Sequence, residues 1–112
     1  HINMNPVKYF IKDLSNKSTP FDVWLQGTVA DISGKDIIIS DTTGKVKVTG
    51  CNSGDGVIGK YYCVIGVAVK TNDIPEVVCT KIIQVNSQHQ RSWESEVKEA
   101  QLFLQGKVVP KI

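Results

Sequence analysis

Apolar and polar positions alternate most clearly from Val23 to Ile32, where Val23, Leu25 and Val29 are separated by Gln26 and Thr28. A repeat of two places alternate side chains on opposite faces of a strand, one of them buried. Gly27 falls inside this run, and a glycine within a strand pattern marks a bulge or a sharp bend. A long bent strand can serve two sheets at once, as the first strand of a small closed barrel does. The same patterning recurs downstream. Ile37-Ile38-Ile39 is a short β-branched run between Asp36 and Asp41, and Val46 and Val48 alternate with Lys45, Lys47 and Thr49. Two longer apolar runs, Tyr61 to Val69 and Glu76 to Val85, follow. The turn residues Ser33-Gly34-Lys35, Asp41-Thr42-Thr43-Gly44 and Thr71-Asn72-Asp73-Ile74-Pro75 separate these segments. The pattern predicts a mostly β chain, a five-stranded antiparallel barrel or sandwich.

Both flanks carry a helical period instead. Asn5-Pro6 suits a helix start, and Val7, Phe10, Ile11 and Leu14 form an apolar stripe, so a short N-terminal helix is expected. At the other end Ser92 is placed to cap a helix whose first turn holds Glu94 and Glu96. Trp93, Val97, Ala100 and Leu104 make its apolar stripe, and Gly106 and Pro110 end it. These bounds give one domain over residues 4–106 and a tail at 107–112, with His1-Ile2-Asn3 read as a cloning remnant.

Composition narrows the class. The 112 residues are 41% hydrophobic and 21% charged, enough for a single core. No apolar run approaches the roughly 20 residues of a bilayer span, and no leader pattern opens the chain, so we expect a soluble protein with no membrane association. Cys51, Cys63 and Cys79 are widely spaced and lack histidine companions, which argues against both a disulfide framework and a zinc site. Cys63 and Cys79 lie in apolar strands and read as small buried hydrophobes, kept reduced in a cytosolic or nuclear setting.

Several motifs imitate chemistry without supporting it. Gly54-Asp55-Gly56-Val57-Ile58-Gly59-Lys60 approaches a phosphate loop, but Tyr61 stands where a magnesium-binding Ser or Thr belongs and a strand follows rather than a helix. Asp31, Asp36 and Asp41 all border turns, where aspartate bonds the local backbone. His89 stands alone in a polar stretch. No nucleophile and base pair up, so no catalytic residue, cofactor or metal is expected.

Surfaces remain. The alternative reading is a single-stranded DNA face of the telomere type built from Lys45, Lys47, Lys70 and Tyr61 or Tyr62; the +2 net charge neither demands nor excludes it, and the few strand aromatics argue against a strong groove. Trp93 has two readings: it folds back on the chain's own core, or it anchors an interface, where tryptophan is enriched.

A barrel with one helix before the first strand and another after the fifth is the arrangement of OB-fold subunits in heteromeric complexes. The chain further resembles the RecQ-mediated genome instability protein 2 family. The matching words are Pro6-Val7-Lys8, Val23-Trp24-Leu25-Gln26-Gly27, Asp41-x-x-Gly44, Gly59-Lys60-Tyr61 with Val64 and Gly66, Lys81, and Trp93-x-x-Glu96-Val97. The resemblance implies a non-enzymatic nuclear scaffold that clamps the C-terminal OB domain of a larger sister subunit. That pair joins a Bloom-type RecQ helicase and topoisomerase III in the complex that dissolves double Holliday junctions. It further implies only weak or indirect DNA contact. Carried over by position, Lys8 and Trp93 hold the sister subunit, with Val97, Ala100 and Leu104 on the same surface. Lys81 matches a lysine that docks a partner peptide, of the Fanconi-type helicase kind. Ser92 departs from the family's bulky apolar residue before the tryptophan. The glycine-rich loop before Tyr61 is short, and the helix is expected to run past Leu104.

Overall fold

The computed structural model describes residues 7–51, 56–71, 73–86 and 88–104. Strands β1 (Val7–Lys8), β2 (Phe21–Ser33), β3 (Asp36–Ser40), β4 (Lys45–Thr49), β5 (Tyr61–Val69) and β6 (Glu76–Gln84) precede one α-helix, α1 (His89–Leu104). Every strand predicted from the alternation is present. They run β2-β3-β4-β6-β5, and a further β2–β5 pairing closes the ring. Closure leaves the barrel no long exposed edge on either side of β2.

β2 does what its pattern suggested. It pairs with β5 from Phe21 to Thr28 and with β3 from Thr28 to Ser33, so Thr28 is shared by both partners. The register irregularity falls between Val29 and Asp31 rather than at Gly27. Gly27 answers a different need: a Cβ there would stand 2.6 Å from both Ile39 Cγ2 and the Ser40 carbonyl oxygen. The glycine lets β3 approach closely where the strand changes partners. Gly66 plays the same part at the β5–β6 irregularity, where a Cβ would run into the Val78 carbonyl.

Inward positions hold Val23, Leu25 and Val29 of β2, Ile37 and Ile39 of β3, and Val46 and Val48 of β4. Tyr62, Val64 and Ala68 of β5 and Val77 of β6 complete the ring, and Ile11 and Leu14 plug it. Cys51 joins this core and Cys79 packs against it, as small hydrophobes do.

The expected short N-terminal helix is present, but it is a 3-10 helix and starts later than the apolar stripe predicts. Val7 and Lys8 instead pair in parallel with Val23 and Trp24, Phe10 is extended, and a 3-10 helix covers Ile11–Asn16. Asn5 and Pro6 lie outside the described residues. The reason is tertiary: Asp41 Oδ2 accepts the Ile11 N–H at 2.9 Å and Thr43 Oγ1 accepts the Lys12 N–H at 3.1 Å. These long-range bonds cap the helix at Ile11, and a spacing of three between Ile11 and Leu14 suits a 3-10 turn as well as an α-turn.

Helix α1 begins earlier than Ser92. Asn86 Oδ1 accepts the Gln88 N–H at 2.9 Å and the Asn86 carbonyl accepts the His89 N–H, so Asn86 organises the start. His89 is therefore helical, and Ser92 merely donates its hydroxyl to the His89 carbonyl at 3.2 Å. Glu94 and Glu96 accordingly lie beyond the first turn. The glycine-rich loop's residues 52–55 and the expected stop at Gly106 and Pro110 lie outside the described residues, as do the proposed remnant and tail.

Candidate protein-interaction surface

The outer wall of β2, β5 and β6 is apolar along much of its length, and α1 lies across one end of it. Trp24, Gln26 and Thr28 face outward from β2, opposite Ile65, Cys63 and Tyr61 of β5. Gln26, Cys63 and Tyr61 are nonetheless buried. The cover comes from β1 and α1, whose inner face presents Trp93 and Val97.

Lys8 fastens this arrangement. Its ammonium donates to Glu96 Oε1 at 2.8 Å and stands 4.8 Å from the Trp24 ring centre and 5.9 Å from that of Trp93. The two indoles meet at 6.2 Å with their planes tilted by 40°. Near the far end of α1, the Gln101 side-chain amide donates to the Lys8 carbonyl at 2.9 Å. One strand residue thus receives two turns of the helix, through its side chain and its backbone. A cation over two indoles adds about 0.5 to 2 kcal/mol, depending on how dry the site is.

The electrostatics follow from that packing. Lys8 holds the Glu96 carboxyl below the usual carboxylate range, against a smaller opposing effect of burial. Burial, with help from Asp41, pushes the Tyr61 hydroxyl up to about 12. Burial also raises the Cys63 thiol, and the Trp24 indole partly offsets it. Cys63 is therefore a protonated packing residue rather than a nucleophile.

The expected partner-binding residues separate into groups. Trp93, 3% exposed, and fully buried Val97 pack on the chain's own barrel, so they form no open stripe. Ala100 is half-buried on the same side, and Lys8 is half-buried on a strand rather than a helix. The side chain of Leu104 lies outside the described residues. Lys81 is exposed on β6, away from α1.

Beyond α1 the same wall is uncovered. Val78 and Ile83 of β6 are 42% and 44% exposed, and Lys81 stands between them. Ile65 and Val67 are half-buried beside them on β5, paired with Lys81 and Val78. At the end of α1, Leu102 is exposed and Phe103 is 81% exposed. Sequence alone did not flag Val78, Ile83 or Phe103. A one-residue irregularity in β6 around Thr80 decides which of its side chains face out, and no period shows it.

The alternative nucleic-acid face loses its aromatics. Tyr61 and Tyr62 are buried, and the Tyr62 hydroxyl accepts the Val57 N–H at 3.0 Å. Lys47 faces Asp36 at 3.5 Å, the same aspartate that sequence placed at a turn. Asp41 likewise serves the backbone, accepting the Thr43 and Gly44 N–H groups with one oxygen. Among the described residues no cluster of His, Cys, Asp and Glu could hold a metal. No helix there is long and apolar enough to cross a membrane.

A closed barrel in this strand order, with β4 and β6 parallel and a helix laid on its outer wall, defines an OB-fold protein. The chain belongs to the RecQ-mediated genome instability protein 2 family, whose model matches residues 4–101, and with it to genome-maintenance OB-fold proteins. No curated protein matches it in sequence. Among solved structures it is similar to a chain of the S. pombe Stn1–Ten1 complex, at 13% identity and TM-score 0.71, covering 87% of this chain and 92% of that one. Replication protein A of U. maydis, solved with single-stranded DNA, gives 12% identity and TM-score 0.72, covering 96% and 100%. A chain of the yeast Stn1 and Ten1 structure gives 13% and 0.69, covering 96% and 78%. At these identities the likeness concerns the fold.

Proposed function

We propose that the chain is a non-catalytic scaffold subunit whose β5–β6 outer wall and α1 end bind the C-terminal OB domain of a larger sister subunit. The observation that carries this reading is the half-covered wall: beneath α1, Cys63 and Tyr61 are buried and Trp24 is half-buried, while Val78, Ile83 and Phe103 stay exposed. Exposed apolar residues grouped beside an amphipathic helix mark an interaction surface. Membership of the family and the heteromeric fold relatives both support a sister OB subunit as the partner. Lys8, Trp93, Val97 and Ala100 support the interface by seating α1 rather than by direct contact. Lys81 lies within the surface, where it meets a partner peptide of the Fanconi-type helicase kind. Through the sister subunit the chain joins a Bloom-type RecQ helicase and topoisomerase III in the nucleus, for dissolution of double Holliday junctions.

Co-purification with the sister subunit's C-terminal domain tests this. Ile83→Asp and Phe103→Asp abolish the complex while the free chain keeps its circular dichroism, and Lys45→Glu on β4 leaves the complex intact. Undiminished complex formation by the folded Ile83→Asp, Phe103→Asp double variant overturns the proposal.

A further inference from the structure

A second feature lies on the other side of α1, at the point where β2 passes from β5 to β3. A cleft of about 200 Å³ opens there between the start of the helix and the barrel. Phe10, Tyr61 and Trp93 supply its aromatic surfaces, and Thr28, Ser40, Thr42 and Gln90 its neutral polar groups. Its charged residues are Asp41 and Glu94, and no lysine or arginine lines it.

We propose that this cleft receives an arginine side chain presented by an extended segment of a partner protein. Three observations converge on that occupant. The first is charge: both oxygens of Asp41 accept bonds from neutral donors, and among the described residues no cation pairs with it. Glu94 meets only Lys98, in an exposed pair at 2.8 Å. Such a pair exchanges readily for another cation. The nearby ammonium groups are accounted for elsewhere, Lys8 on Glu96 and Lys12 at 5.9 Å from the Phe10 ring centre, and neither lines the cleft.

The second observation is shape and chemistry. A planar guanidinium stacks on aromatic faces and offers five N–H donors in a fixed fork. Thr28, Ser40, Thr42 and Tyr61 line the cleft beside the two acidic residues, so its lining is rich in hydrogen-bond acceptors. The third is an unmet donor: the indole N–H of Trp93 is buried and has no hydrogen-bond partner. A buried N–H left unpaired is unfavourable, and Trp93, which carries it, forms part of the cleft lining.

This site uses neither the β5–β6 wall nor Phe103, so it stands or falls apart from the proposed sister interface. The test is a titration of the full chain, with labelled tryptophan, by a capped Gly-Arg-Gly peptide and its citrulline counterpart, following the Trp93 indole N–H resonance. Citrulline keeps the shape and removes the charge. The arginine peptide shifts the resonance with a half-saturation roughly tenfold lower than citrulline's, and Glu94→Gln, an exposed change that leaves the fold intact, narrows that gap. Equal half-saturation for the two peptides, a Trp93 resonance unmoved by the arginine peptide, or an undiminished gap in Glu94→Gln overturns the proposal.

Discussion

The inside and the outside of the same three strands are built on different rules. Inward, Val23, Leu25, Val64 and Val77 are sealed by neighbours of their own kind, and no charged side chain enters. Outward, beneath α1, the seat mixes two indoles, a lysine, a carboxylate and two glutamines. The interior is held by area removed from water, which is indifferent to direction. The helix seat is held by a few directed contacts converging on Lys8. The first arrangement makes a barrel that unfolds as a unit, and the second makes a helix whose position depends on single residues.

Leu25→Ala should break the interior most severely. Leu25 is fully buried, and truncating it removes transfer energy and leaves a cavity, a loss of about 4 kcal/mol. Denaturant unfolding followed by strand and helix signals together checks this, since both shift to the same lower midpoint.

Trp93→Ala should cost somewhat less, on the order of 3 kcal/mol, and should act on the seat alone. Amide exchange then speeds up in α1 and β1 while β3 and β4 keep their protection. A uniform loss across the barrel would erase the distinction between the two regions.

The smallest effect concerns the two ion pairs of α1. Lys8 lowers the Glu96 carboxyl, so their pairing contributes above the ordinary carboxylate value of 4.5 and fades as pH falls through the lowered one. With the side chains 25% and 39% exposed, the contribution is under about 1 kcal/mol. Helix docking therefore weakens below pH 4.5 in the parent chain, and Glu96→Gln removes the part of that dependence due to this pair. Glu94–Lys98 is a more exposed contrast, with its side chains 62% and 64% exposed, and Lys98→Ala should leave the melting curve unchanged.

The same division explains what could be read from the chain. Strands β2 to β6 were visible because a wall with one buried face imposes a period of two on its residues. The barrel followed from their number and spacing, together with Gly27. The N-terminal helix was legible, but its start and type were not: Val7, Phe10, Ile11 and Leu14 fit one longer helix, whereas bonds to Asp41 and Thr43, some thirty residues away, start a 3-10 helix at Ile11 and leave Val7 and Lys8 to a strand. No local pattern contains that information. At the candidate surface, Lys8, Trp93 and Val97, read from the chain as an open partner-binding stripe with Ala100, instead form the seat of α1, with Ala100 half-buried on the same side. The exposed set of Val78, Ile83 and Phe103 depends on register and on where α1 stops covering the wall, and both are decided by tertiary contacts.

The central claim is that the wall left bare by α1 is where the sister subunit docks. Hydrogen exchange of the chain, alone and saturated with the sister's C-terminal OB domain, addresses it directly. The account predicts new protection at Thr80–Gln84 of β6 and along the exposed end of α1, with Lys45–Thr49 of β4 unchanged. Complex formation with protection confined to β3 and β4 would contradict it.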